Sequence, residues 1–89
     1  MLNSEPVWFV YLLMCSDATL YCGITTDINR RVREHNLTKK GAKYTRSRRP
    51  VKLIGFEKFK NRSEATKEEI KIKKLSRSKK LSRFSKDNI

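Results

Sequence analysis

Histidine occurs once in this 89-residue chain, cysteine twice, and acidic residues only nine times. Each scarcity closes off a class. With His35 as the lone histidine beside Cys15 and Cys22, there is neither a disulfide framework nor the four spaced ligands of a structural zinc site. The two thiols read as reduced, partly buried small hydrophobes. No apolar run is long enough to span a bilayer, and no basic n-region precedes an apolar h-region. A soluble, cytoplasmic protein with no membrane partner is therefore expected. Internal repeats and low-complexity stretches are missing, and nothing points to an organic cofactor. With 37% hydrophobic residues, a single domain over 1–89 with one modest core is expected, and a second domain is excluded.

What is abundant is positive charge. Lysine and arginine number 22, giving a formal net charge of +13. Self-repulsion on that scale opposes compaction and signals a polyanionic partner, most commonly nucleic acid. A solvated basic surface, an acidic protein face or an anionic membrane would carry or meet the same field. The charge is also uneven. Residues 1–29 contain no Lys or Arg, so every basic residue lies between Arg30 and Lys86. A core-forming first part is followed by a part that carries the electrostatic footprint.

The run Val7–Met14 is continuously apolar and rich in aromatic and β-branched residues, which predicts a strand buried on both faces. A polar turn, Cys15 to Thr19, leads to a second strand, Leu20–Thr25, so the two form a hairpin. Strand alternation puts Val7, Phe9, Tyr11 and Leu13 on one face, and Tyr21, Gly23 and Thr25 together on the other strand. Thr26 or Asp27 caps a helix running to about Asn36. Ile28, Arg31, Val32 and His35 share one stripe of it, with Arg30, Arg33 and Glu34 pointing away. Two polar groups on a stripe that meets the hairpin are unusual for a core helix. Leu37–Pro50 reads as a basic loop with six Lys or Arg and Tyr44 at its middle. Val51–Phe59 predicts a third strand with a bulge near Gly55. Ser63 starts a helix from Glu64 to about Leu75, and Arg77–Phe84 makes a shorter basic helix. The expected class is α+β, a small mixed or antiparallel three-stranded sheet flanked by helices in the order β-β-α-β-α-α.

Phe9-Val10-Tyr11 is followed after nine residues by Tyr21-Cys22-Gly23, then by Arg31, His35 and, on a late helix, Glu69. This order resembles the GIY-YIG nuclease superfamily, whose members include homing endonucleases, excision-repair incision proteins and some restriction enzymes. The likeness is nearest to small stand-alone bacterial members. They share segments similar to Gly23-Ile24-Thr25-Thr26-Asp27, Lys40-Gly41-Ala42-Lys43-Tyr44-Thr45-Arg46 and Glu69…Lys73…Leu75. Two departures stand out. Phe-Val-Tyr and Tyr-Cys-Gly replace the motif's Gly-Ile-Tyr and Tyr-Ile-Gly, keeping both tyrosines. The asparagine that some larger members carry after the catalytic glutamate is not found.

The resemblance implies a metal-dependent DNA endonuclease of low sequence specificity. Glu69 would be the one protein ligand of Mg²⁺ or Mn²⁺, with water and phosphate oxygens completing the shell. Arg31 would clamp a non-bridging oxygen as negative charge builds. Tyr11 or Tyr21 would position or deprotonate the attacking water, and His35 would assist as proton acceptor or phosphate ligand. Helical periodicity places Glu68 and Glu69 on opposite flanks of the stripe Ala65, Ile72, Leu75 and does not choose between them; only the resemblance does. In the basic loop, Lys39, Lys40, Lys43, Arg46, Arg48 and Arg49 supply candidate phosphate contacts, and Tyr44 a stacking face. The expected partner is DNA, branched and single-stranded forms included, with RNA left open by charge alone. The rival expectations are a non-catalytic basic nucleic-acid-binding module and an accessory subunit targeted by a protein partner.

Overall fold

The computed structural model describes residues 6–85. Trp8–Met14 forms β1 and Leu20–Thr25 forms β2; Ile28–Leu37 is α1 and Lys43–Arg46 a one-turn α2. Lys52–Phe59 follows as β3, then Arg62–Lys73 as α3 and Arg77–Ser85 as α4. The sheet has the order β2-β1-β3 and both pairings are antiparallel. Its α+β class matches the expectation.

The most apolar segment takes the middle position, where each face of a strand meets a layer. Val10, Leu12 and Leu13 are fully buried and Tyr11 nearly so. Alternation then divides the core in two. Val10 and Leu12 pack with Cys22, Ala65, Ile72 and Phe84 beneath α3 and α4. Tyr11 and Leu13 pack with Cys15, Val51, Tyr21, Ile28 and Val32 beneath α1. The tyrosines thus face one helical layer, while α3 approaches from the other.

The Asp27 cap and the bulge near Gly55 fall where expected, while other boundaries shift, each for a local reason. Asp27 is the N-cap of α1, its carboxylate accepting from the Arg30 N–H at 3.0 Å. Asn61, rather than Ser63, caps α3 by accepting from the Glu64 N–H at 2.9 Å, so that helix begins earlier. Leu12 faces Gly55 and Leu13 faces Leu53, which leaves Ile54 as the extra residue of the bulge. The basic loop contains α2, unforeseen in the β-β-α-β-α-α order, because the Thr45 and Arg46 N–H groups close onto the Ala42 carbonyl. The loop's far end is also tied down. Asn36 brackets Val51, donating to its carbonyl at 3.1 Å and accepting its N–H at 2.7 Å.

Candidate active site

Tyr11 sits directly across from Gly23 in the β1–β2 pairing. A Cβ on Gly23 would lie 2.5 Å from the Tyr11 hydroxyl oxygen, so only glycine there leaves room for the ring. The ring passes over β2 toward α1 and meets His35, which is fully buried. The stripe of α1 therefore has a reason for its polar members: His35 points at the hairpin because a tyrosine hydroxyl is waiting for it.

Tyr11 Oη lies 2.8 Å from His35 Nε2, and His35 Nδ1 lies 2.7 Å from Thr45 Oγ1. Thr45, also fully buried, donates its hydroxyl proton to the Ala42 carbonyl at 3.0 Å. With that proton committed, Thr45 Oγ1 accepts from Nδ1–H, and Nε2 is left with a lone pair that accepts from Tyr11. The Ala42 N–H, 3.4 Å from Nδ1, is too long to compete. Gly41 permits this packing, since a Cβ there would stand 2.8 Å from His35 Cα. Burial raises the Tyr11 pKa above its ordinary value, against the pull of the Arg31 guanidinium on its hydroxyl. Burial, aided by Arg31, also lowers His35 to about 4, so both partners are neutral at neutral pH.

Arg31 donates from one Nη1 to Glu34 Oε1 at 2.8 Å and to the Lys40 carbonyl at 2.9 Å. Glu34 was expected to point away from the stripe. It is instead turned inward to Arg31, the guanidinium holding its carboxyl below the usual range. Its signal was present in the i, i+3 spacing. Tyr21 lies 5.2 Å from the His35 ring and 6.4 Å from Tyr11, centroid to centroid, and stacks on Tyr44. Burial raises its pKa, with Lys73 and Arg31 opposing and Glu69 reinforcing the rise.

Geometry separates the two glutamates that periodicity left equal. Glu68 pairs with Arg83 at 2.9 Å, and Arg83 also forms a fork with Glu57 at 2.7 Å, tying α3, α4 and β3 together. Glu69 pairs with Lys73 at 3.1 Å and its field reaches Tyr21 and Cys22, raising the Cys22 thiol, already lifted by burial, to about 11. Tyr11, Tyr21, Arg31 and His35 thus adjoin one another, and Glu69 meets the group through Tyr21.

The basic loop is only partly what it was expected to be. Lys39, Lys40, Lys43, Tyr44 and Arg46 are exposed. Arg48 is half-buried over the Tyr44 ring and paired with Asp17 at 3.0 Å. Arg49 turns back onto α1, donating to the carbonyls of His35 and Thr38, and so serves the helix C-terminus instead of presenting to solvent.

The family model for the GIY-YIG catalytic domain matches residues 7–82. The chain belongs to the GIY-YIG family. Among similar GIY-YIG relatives, a UPF0213 protein of Desulfotalea psychrophila is 59% identical over 83% of this chain and 67% of its own. One of Listeria innocua is 57% identical over 86% and 84%. The solution structure of an E. faecalis protein superposes with a TM-score of 0.60 at 44% identity, covering 92% of this chain and 86% of that one. A UPF0213 protein of Bacillus halodurans gives 0.51, also at 44%, over 83% and 78%. For a GIY-YIG domain the second motif's glycine now has a physical reason, the Tyr11 ring. Thr45 and Lys73 sit in the quoted segments yet had drawn no role, because neither lies on an apolar periodicity.

Among the described residues no three His, Cys, Asp or Glu side chains converge. A cation there would have Glu69 as its protein ligand, the sparse hard-oxygen set that suits Mg²⁺ or Mn²⁺ with water and phosphate. No helix among the described residues is long and apolar enough to cross a membrane.

Proposed function

We propose that this GIY-YIG domain is a metal-dependent endonuclease that hydrolyses phosphodiester bonds of DNA with little intrinsic sequence specificity. The observation that carries the reading is the Tyr11–His35 hydrogen bond at 2.8 Å, set beside Arg31 and across the sheet edge from Glu69. Glu69 would hold Mg²⁺ or Mn²⁺, which when bound supplies charge stabilisation to the phosphate oxygens and the departing oxygen.

Arg31 would exchange Glu34 for a non-bridging phosphate oxygen, a like-for-like replacement of one anion by another. Tyr11 accepts a proton from the attacking water while passing its own to His35 Nε2. The water oxygen bonds to phosphorus, the bond to the leaving oxygen breaks, and that oxygen takes a proton from solvent. A standing phenolate is costly in the free protein, because burial raises the Tyr11 phenol and lowers the His35 imidazole to about 4. Transfer concerted with attack, beside a bound phosphate anion that stabilises the imidazolium, avoids that cost.

Supercoiled plasmid nicking tests the reading. Nicking is expected with Mg²⁺ or Mn²⁺, absent with chelator and absent in Glu69→Gln, but retained in Glu68→Gln, whose partner is Arg83. Metal-dependent nicking that survives Glu69→Gln would sink the site. The second reading, a non-catalytic binding module, draws on the ion pairs that occupy Arg31 and Glu69. Plasmid binding without nicking in either metal would favour it.

A further inference from the structure

β2 is one of the two edge strands of the sheet, with β1 on one side of it only. Its six residues run for about 17 Å. A cleft opens at each end of that edge. The cleft near Thr25 has a volume of about 320 Å³ and includes Trp8, Arg30, Arg31 and Arg62 in its walls. The other, near Leu20, has about 200 Å³ and includes Tyr21, Tyr44, Lys73 and Lys80. Arg31 belongs to the first and Tyr21 to the second, so the two clefts flank the candidate active site along one line.

Each ring carries a flat cation, and Tyr44 also stacks on Tyr21, so a base would take the guanidinium's place. The Arg62 guanidinium lies 5.5 Å from the Trp8 ring centre, and the Arg48 guanidinium 3.9 Å from that of Tyr44. A planar cation on an aromatic face marks where another planar, polarisable group can stack. Arg30, Arg31 and Glu34 share the first cleft with Trp8, Lys73 and Lys80 share the second with Tyr44, and Tyr44 is 39% exposed. Rings alternating with basic groups along a groove form the pattern that holds nucleic acid by base stacking and backbone charge together.

We propose that the free edge of β2 is a track for an unpaired DNA strand, with bases stacking on Trp8 and Tyr44 either side of the phosphate at Arg31. In a duplex, base faces are covered by their neighbours, so neither ring could be used. The location of the scissile phosphate rests on the nuclease reading; the binding track itself needs no metal. Charge alone would favour duplex, whose phosphates are the more densely packed and whose binding releases more counterions per contact. A preference for single strand is therefore diagnostic of the rings.

The test is fluorescence titration in chelator, at one fixed salt concentration, with a short oligothymidylate and with a blunt duplex of equal length. Trp8 is the only tryptophan, so its emission reports one end of the track. Tighter binding of the single strand and quenching of Trp8 emission are expected. Tyr44→Leu, at a position 39% exposed, is expected to weaken single-strand binding about tenfold and duplex binding by distinctly less. Equal or tighter duplex binding, an emission unchanged at saturation, or an equal loss for both ligands in Tyr44→Leu would overturn the proposal. Single-strand binding without cutting on adding Mg²⁺ would fail the nuclease reading alone. Plasmid nicking without any single-strand preference would fail the track alone.

Discussion

Thr45→Val keeps the shape of a fully buried side chain and deletes only its hydroxyl. His35 Nδ1 loses its partner at 2.7 Å, whereas the Ala42 carbonyl, 3.0 Å from the hydroxyl, keeps the Thr45 and Arg46 N–H groups. A buried polar group left without a partner costs about 1–3 kcal/mol, and the fold is expected to lose about that much. His35 has one escape. It can move its proton to Nε2 and turn the bare Nδ1 toward the Ala42 N–H at 3.4 Å. That recovers some stability, but Nε2 then donates to Tyr11 and can no longer accept from it. On either route the proton path is broken, and a nicking rate lower by about 100-fold or more is expected. Urea unfolding followed by Trp8 emission measures the first effect and plasmid nicking the second. Thr45→Ser, which restores the hydroxyl, is expected to recover both. A Thr45→Val protein that is destabilised yet nicks at the full rate would refute the relay through His35.

His35 also sets an acid limit. Its folded pKa of about 4 lies below the ordinary 6.5, so the unfolded chain takes up a proton first as pH falls. The associated stability is complete above pH 6.5 and is lost progressively toward pH 4, amounting to about 3 kcal/mol. Urea midpoints should fall across that window, and a flat profile would contradict the burial argument. Gly23→Ala would place a methyl 2.5 Å from the Tyr11 oxygen and 2.8 Å from its ring carbon Cζ. Overpacking of about 1–3 kcal/mol is expected, together with loss of nicking as the ring leaves His35. Calorimetry and plasmid nicking check the pair of effects, and wild-type nicking in Gly23→Ala would show that the ring's position is not required.

Legibility in the sequence followed the range of the forces involved. Val7–Met14 was readable as a doubly buried strand because its apolar run is local and continuous, and β1 indeed lies between β2 and β3. The stripe Ile28, Arg31, Val32, His35 was readable because a helix repeats, and its odd polar members pointed to a site before any contact was known. Short elements were not readable: α2 has four residues and no repeat to betray it. Networks closing between distant segments were hidden too. Thr45 gains its meaning only from His35, ten residues away in sequence, and Arg49 only from the C-terminal carbonyls of α1. Glu34 was misread because helical phase describes a direction, whereas a guanidinium three residues earlier can draw a flexible carboxylate around. Glu69 came from family likeness. The structure adds a difference that phase lacked: Glu68 pairs with Arg83, and Glu69 with Lys73.

The two sides of the candidate site reach it around opposite faces of the same sheet. Tyr11 and His35 meet beneath α1, whereas Glu69 arrives on α3, which packs over the other face. No single hairpin or helix pair carries the whole constellation, and Tyr11 and Glu69 are separated by most of the chain. A partly folded molecule therefore holds tyrosines without the carboxylate, or the carboxylate without its tyrosines. On the nuclease reading, cutting by this strongly cationic chain would be confined to the finished tertiary structure. Folding itself would then be the step that arms the molecule, and loss of α3 docking would be enough to disarm it.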